Sequence, residues 1–592
     1  MKACRLIKST VSIIISLGVL FTSFMLPDKF SAQEISVEYQ HYDISELEIA
    51  LSKFDDQLRE DNNDDGVAQG FNSVLTEKNK IETQRELAYI NYAVDTNQEN
   101  TDEYIYMCQT QSEGMGKIYT ALNNALNTKY RELIKELLGD FYSAIDEYDI
   151  SSEEQTEIIV AEQNIQQEYQ EILKSSKSTS DKNLECAALY LKLVKVLNDV
   201  VEPYDCNYFE YMYYVYNRDY SVDDITALSP YVKTDITDSY HRVTNNIESL
   251  PGYSEYTGAN NLFENNFEVI KCYAGEISDE LYESAEFITD NNLYKFGNGN
   301  NSINMAFTTM LPQYNTAFIY QYLYSNQNDI LSSIHEFGHF NTMRHCDISS
   351  SIEGASINLD ISEVQSQGLE VLYTRFYNNM FGEYAELLRR QQYADILQSI
   401  SSGFMVNEFE NYVFNNAENM TPGDVVDKYK STSDEYKVVS IPFYKIHHLF
   451  RTPGYYISYA TSALAAVGLC DVLDSSFDDA ADMYTAFSHF DPTDDDNKYK
   501  ECLEKSGFGN VLSTEYIRRI ASITDNVLDN SVYADIDGNG IVSASDAVIM
   551  KIYILDTTTV SVNNENKKYD LNKDTVVNAA DLCRLIDILL CE

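Results

Sequence analysis

Residues 328–345 have the sequence NDILSSIHEFGHFNTMRH, which contains the pattern HExxH from His335 to His339. In a helix, residues four positions apart lie on one face, so His335 and His339 can direct ring nitrogens at one metal ion. Glu336 then lies beside that ion without ligating it, where its carboxylate can accept a proton from water. The pattern predicts a catalytic zinc site in which Glu336 is the general base.

Such a site needs a third protein ligand, and two residues compete for that role. His345 has the outer spacing of the metzincin pattern HExxHxxGxxH, but Thr342 stands where that pattern needs a glycine for its turn. Glu363 lies in LDISEVQSQGLE (359–370), on a second predicted helix, and would complete a His2Glu ligand set. Glu363 is the favoured ligand because the glycine turn is missing.

The flanking sequence changes from helical to strand character and back. No proline occurs between residues 28 and 202, and the apolar spacing of residues 130–148 predicts one amphipathic helix. The aromatic and β-branched segment NTAFIYQYLY (315–324) predicts a strand. Its part from Phe318 to Tyr324 could pair with an extended peptide. The HExxH helix should follow directly, with Asn328 or Asp329 near its cap.

The end of the chain contains an internal repeat. DIDGNGIVSASD (535–546) and DLNKDTVVNAAD (570–581) both have the pattern of an EF-hand-like calcium loop. The predicted calcium ligands are Asp535, Asp537, Asn539, Ile541, Ser543 and Asp546 in the first loop, and Asp570, Asn572, Asp574, Val576, Asn578 and Asp581 in the second, with Ile541 and Val576 using backbone carbonyls. The sixth position is Gly540 in the first loop and Thr575 in the second, so we expect weaker binding at the second site.

Charge, cysteine content and apolar segments limit the binding partners and the cellular location that this chain can have. The 592-residue chain carries 42 basic and 94 acidic residues, a formal charge of −52, which argues against nucleic acid as a partner. Ten cysteines without a CxxC pair do not indicate a disulfide framework. Residues 1–32 resemble a secretory signal, with an uncleaved membrane anchor as the alternative. No later apolar run approaches the roughly 20 residues of a membrane span, so none is predicted after signal cleavage.

HEFGH and EVQSQGLE resemble the motifs of the thimet oligopeptidase and oligoendopeptidase F family of zinc peptidases. HHLFRTPGYYISYATSALAA (447–466) is similar to that family's histidine followed by closely spaced tyrosines. The resemblance implies that His335, His339 and Glu363 bind one zinc ion. It also implies oxyanion donors, which map best onto His448, Tyr456 and Tyr459, with His447 and Tyr455 as the alternatives in the neighbouring frame.

The duplicated loops, each ending in aspartate, resemble a type I dockerin, a module that binds two calcium ions and a cohesin module of a scaffoldin. In that family the residues at loop positions 10 and 11 and the following helix contact the cohesin. In this chain those positions are Ala544, Ser545, Ala579 and Ala580.

Together these features predict a mainly α protein: a large, two-lobed helical zincin body with a small edge β-sheet near the HExxH helix, followed by a small all-α dockerin. The predicted divisions are a signal peptide (1–32), a helical N-terminal region (33–290), a zinc peptidase region (291–525) and the dockerin (526–592). The predicted function is that of a secreted endo-oligopeptidase that hydrolyses peptide substrates through zinc-activated water in a cellulosome-type complex. A dockerin-borne carbohydrate-active enzyme and a binding module with a vestigial zinc site are the alternatives.

Overall fold

A computed structural model describes residues 36–142, 153–201, 206–245, 247, 250, 265–352, 357–437, 441–529, 536, 544–557, 560, 561, 567–571 and 576–590. The predicted signal peptide lies outside these residues. The predicted fold class is confirmed, because helices dominate the described chain and a small sheet adjoins the HExxH helix.

Helices are the regular secondary structure of the described chain before the first strand, as the lack of proline in most of this region favours. They are α1 (Ser45–Arg59), α2 (Asp64–Val94), α3 (Gln98–Leu126), α4 (Arg131–Leu138), α5 (Glu153–Lys174), α6 (Thr179–Val201), α7 (Tyr208–Val215), α8 (Val222–Tyr231), α9 (Thr237–Thr244), α10 (Asn266–Ile277) and α11 (Asp279–Asp290). The single helix predicted for residues 130–148 is wrong, because α4 ends where Gly139 adopts a positive φ of 57°.

Three strands form the sheet beside the HExxH helix: β1 (Tyr294–Gly297), β2 (Ala306–Leu311) and β3 (Thr316–Tyr322). The order is β1-β3-β2, with β1 parallel and β2 antiparallel to β3. The predicted strand at 315–324 is confirmed as β3. The expectation that it pairs with a peptide is wrong, because β3 is the central strand and both of its edges are already paired.

The second half of the body is again helical. Its helices are α12 (Asn328–His345), α13 (Leu359–Tyr373), α14 (Tyr377–Phe381), α15 (Ala385–Asn416), α16 (Pro422–Tyr436), α17 (His448–Arg451), α18 (Ile457–Ser475), α19 (Phe477–Ser488), α20 (Tyr499–Lys505) and α21 (Thr514–Asp529). The HExxH helix therefore begins at Asn328, as predicted. Asp329 accepts backbone hydrogen bonds from Tyr324 and Ser325 and so ties the loop after β3 to the start of α12.

Helix α12 packs closely against α13, and Gly338 permits this approach. A Cβ atom on Gly338 would lie 2.6 Å from the Cα atom of Ser366 and 3.0 Å from the carbonyl oxygen of Gln365. A larger residue would push the two helices apart, since the neighbouring atoms belong to the backbone. The glycine of HEFGH therefore sets the distance between the histidine helix and the helix that carries Glu363.

Helix α18 is long and apolar enough to cross a membrane by length and composition. The expectation that no later run approaches that length is therefore wrong. The apolar side chains of α18 lie in the body core, where Ala460, Leu464 and Val467 are fully buried. This core links helices of the predicted N-terminal and peptidase regions, while a second core lies among α1 to α4.

The C-terminal unit contains two helices, α22 (Ala544–Thr557) and α23 (Ala579–Leu590). Between them, β4 (Val560–Ser561) pairs antiparallel with β5 (Val576–Val577). Ile536, Met550, Leu571 and Leu585 form its small buried core among the described residues.

Candidate metal centre

Three side chains meet at the α12–α13 contact: His335, His339 and Glu363. Their ligand atoms all lie within 4.8 Å of one another. The Nε2 atoms of the two histidines are 3.2 Å apart. Oε2 of Glu363 lies 3.7 Å from Nε2 of His335 and 3.9 Å from Nε2 of His339. The helical spacing of the histidines and the close approach at Gly338 produce this arrangement.

Each histidine is oriented through its other ring nitrogen. Nδ1 of His335 lies 2.6 Å from Oε1 of Glu370, and Nδ1 of His339 lies 3.0 Å from the hydroxyl of Ser362. Gln392 of α15 in turn donates to Oε2 of Glu370. These contacts fix the rings so that both Nε2 atoms face Glu363, which is the role that supporting residues play around metal ligands.

The donor set fits a zinc ion. Zinc bonds of about 2.0–2.2 Å to nitrogen and oxygen in tetrahedral geometry put neighbouring ligand atoms about 3.3–3.5 Å apart. The three distances of 3.2, 3.7 and 3.9 Å lie close to that range. Two imidazoles and one carboxylate are also a ligand set that zinc prefers, and with three ligands from the described residues a fourth position is left for water or substrate.

The electrostatics of the histidine pair also suit a cation. Burial lowers the pKa of His335, but the hydrogen bond and the charge of Glu370 outweigh it and raise that pKa to about 10. Burial and the charge of His335 hold the pKa of His339 well below its usual range. A positive charge is thus favoured at His335, because Glu370 and Glu363 lie beside it, and opposed one helical turn away at His339.

Glu336 lies next to the three-residue cluster and is buried. The hydroxyl of Thr308 on β2 donates to Oε2 of Glu336 at 2.7 Å and so orients its carboxylate. Burial raises the pKa of Glu336 to about 6, although the charge of His335 and the Thr308 hydrogen bond oppose the shift. A carboxylate with a pKa near that of water bound to zinc is suited to exchanging protons with it.

The histidine and tyrosine segment of the sequence approaches the same cluster. The hydroxyl of Tyr455 donates to Oε1 of Glu363 at 2.8 Å. The His448 ring centroid lies 4.9 Å from that of Tyr455, 5.4 Å from Tyr456 and 5.7 Å from Tyr459. By contrast, Nδ1 of His447 contacts the hydroxyl of Tyr169 on α5 at 3.0 Å. The structure therefore groups His448 with all three tyrosines and separates His447 from them.

These side chains are in protonation states that can donate hydrogen bonds. Burial raises the pKa of Tyr455 and of Tyr459 well above the usual range, and the charge of Glu363 adds to both shifts. Burial lowers the pKa of His448 to about 4. The phenols are therefore protonated at neutral pH, and the imidazole is neutral with one N–H.

His345 lies apart from the cluster. Its Nε2 atom is 3.4 Å from Oε1 of Glu280, and Oε2 of the same carboxylate is 2.9 Å from Nε2 of His489. The described residues thus bring Glu363, and not His345, to the HExxH histidines.

The two C-terminal loops share one contact in the part of the chain that the structure describes. The Ile536 N–H donates to Asp546 at 2.7 Å, and the Leu571 N–H donates to Asp581 at 2.8 Å. Position 2 of each loop is therefore bonded to position 12, as expected for repeats of one unit. Seven predicted calcium ligands lie outside the described residues: Asp535, Asp537, Asn539, Ile541, Ser543, Asn572 and Asp574. Of the others, Val576 lies in β5 and the Asn578 N–H donates to Asp581 at 2.8 Å.

Sequence reasoning missed the supporting residues Glu370, Ser362 and Thr308. Glu370 was detectable in principle, because it lies two helical turns after Glu363 and so shares its helix face. Ser362 is adjacent to a predicted ligand but has no pattern of its own. Thr308 is on a different element, and its contact arises only from the packing of β2 on α12.

Comparison with known proteins divides the chain into two parts. Residues 533–590 match the family model of the dockerin type I domain. The prediction of a C-terminal type I dockerin is therefore confirmed. Comparison with curated proteins gave no match.

Solved structures resemble the body. A protein assigned as an oligoendopeptidase F is 17% identical, with a TM-score of 0.66, and the match covers 83% of this chain and 98% of that one. Pz peptidase A, solved with an inhibitor, is 16% identical, with a TM-score of 0.64, covering 83% and 98%. A protein assigned as an oligoendopeptidase F from Bacillus anthracis is 18% identical, with a TM-score of 0.64, covering 83% and 97%. At these identities the likeness shows the fold: the body has the fold of oligoendopeptidase F.

Proposed function

We propose that this protein is a secreted zinc-dependent endo-oligopeptidase that its dockerin attaches to a cohesin-bearing scaffoldin. One observation carries the proposal: His335, His339 and Glu363 converge beside a buried Glu336 on the fold of oligoendopeptidase F. A carbohydrate-active enzyme would need a carboxylate pair across a sugar site, and it would have no use for the converging histidines.

Zinc held by these three residues would supply a Lewis acid for the peptide carbonyl and would lower the pKa of water to about 7. Glu336 accepts a proton from the attacking water while the water oxygen bonds to the carbonyl carbon. It then gives that proton to the leaving amine nitrogen as the C–N bond breaks. Thr308 keeps the carboxylate aimed during both transfers.

The developing oxyanion needs donors on the other side of the substrate carbonyl. We assign this role to His448, Tyr456 and Tyr459, with Tyr455 as a fourth member of the cluster because of its bond to Glu363. Each of these phenols is half-buried, and burial raises its pKa above the usual range, so each O–H is present at neutral pH and can strengthen a hydrogen bond when negative charge develops.

For the dockerin we propose that each loop binds one calcium ion and so organises α22 and α23. The carboxylates of Asp546 and Asp581, at position 12, accept hydrogen bonds from the Ile536 and Leu571 N–H groups at position 2, which supports this assignment. Ala544, Ser545, Ala579 and Ala580 at the helix starts would then contact the cohesin. Secretion through residues 1–32 would bring the enzyme to an extracellular, cellulosome-type complex.

The decisive experiment measures hydrolysis of a panel of internally quenched peptides by the full chain and by Glu336→Gln. We expect Glu336→Gln to keep stoichiometric zinc and the wild-type melting temperature but to lose about 10²–10⁴-fold in kcat, the usual contribution of a general base. The matched control is Glu504→Gln, on an exposed residue, which should retain full activity. Substantial turnover by Glu336→Gln would exclude this base, and a zinc-free, peptide-inert wild type would exclude a peptidase.

A further inference from the structure

Arg218 is a buried cation between the N-terminal helices and the candidate site. Its side chain is fully inaccessible to solvent. The guanidinium carbon lies 4.6 Å from the ring centre of Tyr213, 4.9 Å from Tyr216 and 5.9 Å from Tyr220. Such aromatic stacking stabilises a desolvated guanidinium and holds its plane in one orientation.

The same guanidinium contacts both elements that form the site. Nε lies 3.5 Å from Oδ2 of Asp360, which is three residues before Glu363 on α13. Nη2 donates to the hydroxyl of Ser458 at 2.8 Å, and Ser458 lies between Tyr455 and Tyr459. Arg218 therefore connects the helix of a predicted zinc ligand with the segment of the predicted oxyanion donors.

Neighbouring contacts reinforce this connection. Thr461 of α18 and Tyr220 both donate to Asp360, at 2.7 and 2.9 Å. The Gly454 N–H, at the turn before Tyr455, donates to the buried carboxylate of Glu410 at 3.1 Å. The Tyr216 ring packs edge-on against Tyr455 with centroids 6.4 Å apart. The segment from Gly454 to Thr461, which carries the three tyrosines, thus packs against charged and aromatic side chains that also contact Arg218 or adjoin its partners.

The hydrogen bonding of Arg218 is incomplete. Among the described residues, its Nε and Nη1 atoms have no hydrogen-bond partner. A buried charge with unsatisfied donors costs stability, and a whole buried ion pair can often be replaced by well-packed apolar residues without loss. The position of Arg218, between Asp360 and Ser458, is therefore better explained by what it aligns than by the stability it adds.

We propose that Arg218 is a positioning residue for catalysis. It fixes residues 455–459 against α13, and so keeps the hydrogen bond between Tyr455 and Glu363 and the place of Tyr459 next to Tyr455. The inference rests on the proposed peptidase function. It requires a guanidinium, since one planar group must donate to Ser458 and lie beside Asp360 while stacking on tyrosine rings. A lysine ammonium keeps the charge but is a compact group that cannot stack as a plane and reach both partners at once.

The test uses the full chain with Arg218→Lys, Ser458→Ala and the double variant, with Arg242→Lys as the matched control. Arg242 also joins the N-terminal region to another helix, through Asp525 and the carbonyl of Ala521 on α21. Zinc content, melting temperature, kcat and KM are measured for each. A crystal structure of Arg218→Lys gives the Tyr455–Glu363 distance directly.

We expect Arg218→Lys to lower kcat by about 10–100-fold at wild-type zinc content and little changed KM, because a shift of about 1 Å in catalytic groups has effects of this size. Ser458→Ala should lower kcat less and should add nothing in the Arg218→Lys background. In the crystal structure of Arg218→Lys, the hydrogen bond between the Tyr455 hydroxyl and the Glu363 carboxylate should be lost. Arg242→Lys should match the wild type in kcat.

An unchanged kcat for Arg218→Lys, additive effects in the double variant, or a Tyr455–Glu363 bond intact in the crystal would overturn the inference. Should Arg218→Lys fail to fold, Ser458→Ala alone decides, since it deletes only the hydroxyl that Arg218 contacts: a wild-type kcat would refute the inference. If the wild type hydrolyses no peptide, the proposed function fails, and the crystallographic distance still tests the positioning role.

Discussion

The protein has two predicted metal regions that are built in opposite ways. In the body, the ligands come from two helices and are brought together by packing: Glu363 lies 24 residues after His339. Gly338 sets the helix separation, and Glu370 and Ser362 hold the histidine rings. In the C-terminal unit, each predicted ligand set lies within 12 consecutive residues, and the buried cluster among its described residues contains four apolar side chains.

This difference indicates which site depends on its metal for folding. A large core forms the histidine site, so the body should fold with or without zinc. A unit with so small a core gains much of its folding free energy from bound ions, as small metal-dependent domains commonly do. Metal removal should therefore stop chemistry in the body but remove structure from the dockerin.

The strongest test is calcium removal. With a calcium-selective chelator we expect cohesin binding to disappear, because the helices after each loop lose their organisation. Peptide hydrolysis should continue at the wild-type rate, since zinc prefers the nitrogen ligands of the body. Cohesin binding is followed by calorimetry, with calcium re-addition as the control. Retained binding without calcium would contradict this view of the dockerin.

Within that module the two loops should differ. Gly540 favours the sharp turn at position six and Thr575 does not, so Asp535→Ala should weaken cohesin binding more than Asp570→Ala. Equal effects would show that the glycine does not rank the two loops.

The next effect is the loss of zinc from the body. Glu363→Ala removes one of three ligands, and we expect zinc to fall to background while the melting temperature changes little. His345→Ala is the control and should keep zinc, because His345 contacts Glu280 instead of the cluster. Zinc is measured by mass spectrometry after dialysis. The reverse pattern would select the metzincin-like arrangement.

Much of this site was predictable from the sequence because its elements have local signals. The HExxH spacing fixed α12, and the aromatic run fixed β3, within a few residues. The pairing of β3 was not predictable, since the order of strands depends on contacts between distant residues. Nor was the end of α4, because the apolar stripe continues past Gly139 and only the positive φ there shows the break.

A smaller effect should come from Glu370→Gln. The variant keeps a hydrogen-bond acceptor for His335 but removes the charge that supports the ligand, and changes of this kind typically weaken metal binding by about 10–100-fold. Glu386→Gln, whose carboxylate pairs with Arg390 at 2.8 Å, is the matched control and should bind zinc normally. Affinity is measured by competition with a chromophoric chelator. Unchanged affinity would mean that the charge of Glu370 does not strengthen zinc binding.

The smallest expected effect is the most informative about the two regions, and it comes from a chain truncated after Asn530. The truncation keeps the whole of α21, whose Ile517, Ile520 and Ile523 are buried in the body core, and removes the unit with its own small core. Because the ligands, the base, His448 and the three tyrosines all precede residue 460, kcat and KM for quenched peptides should stay within about twofold of the full chain, which corresponds to about 0.4 kcal/mol in the activation barrier. The truncated protein should nevertheless fail to bind a cohesin, with the full chain in calcium as the positive control. If the truncated protein instead lost its peptidase activity while remaining folded and zinc-loaded, the C-terminal unit would have to support the catalytic site, and the contrast between a packed metal site and a separate ion-dependent module would be wrong.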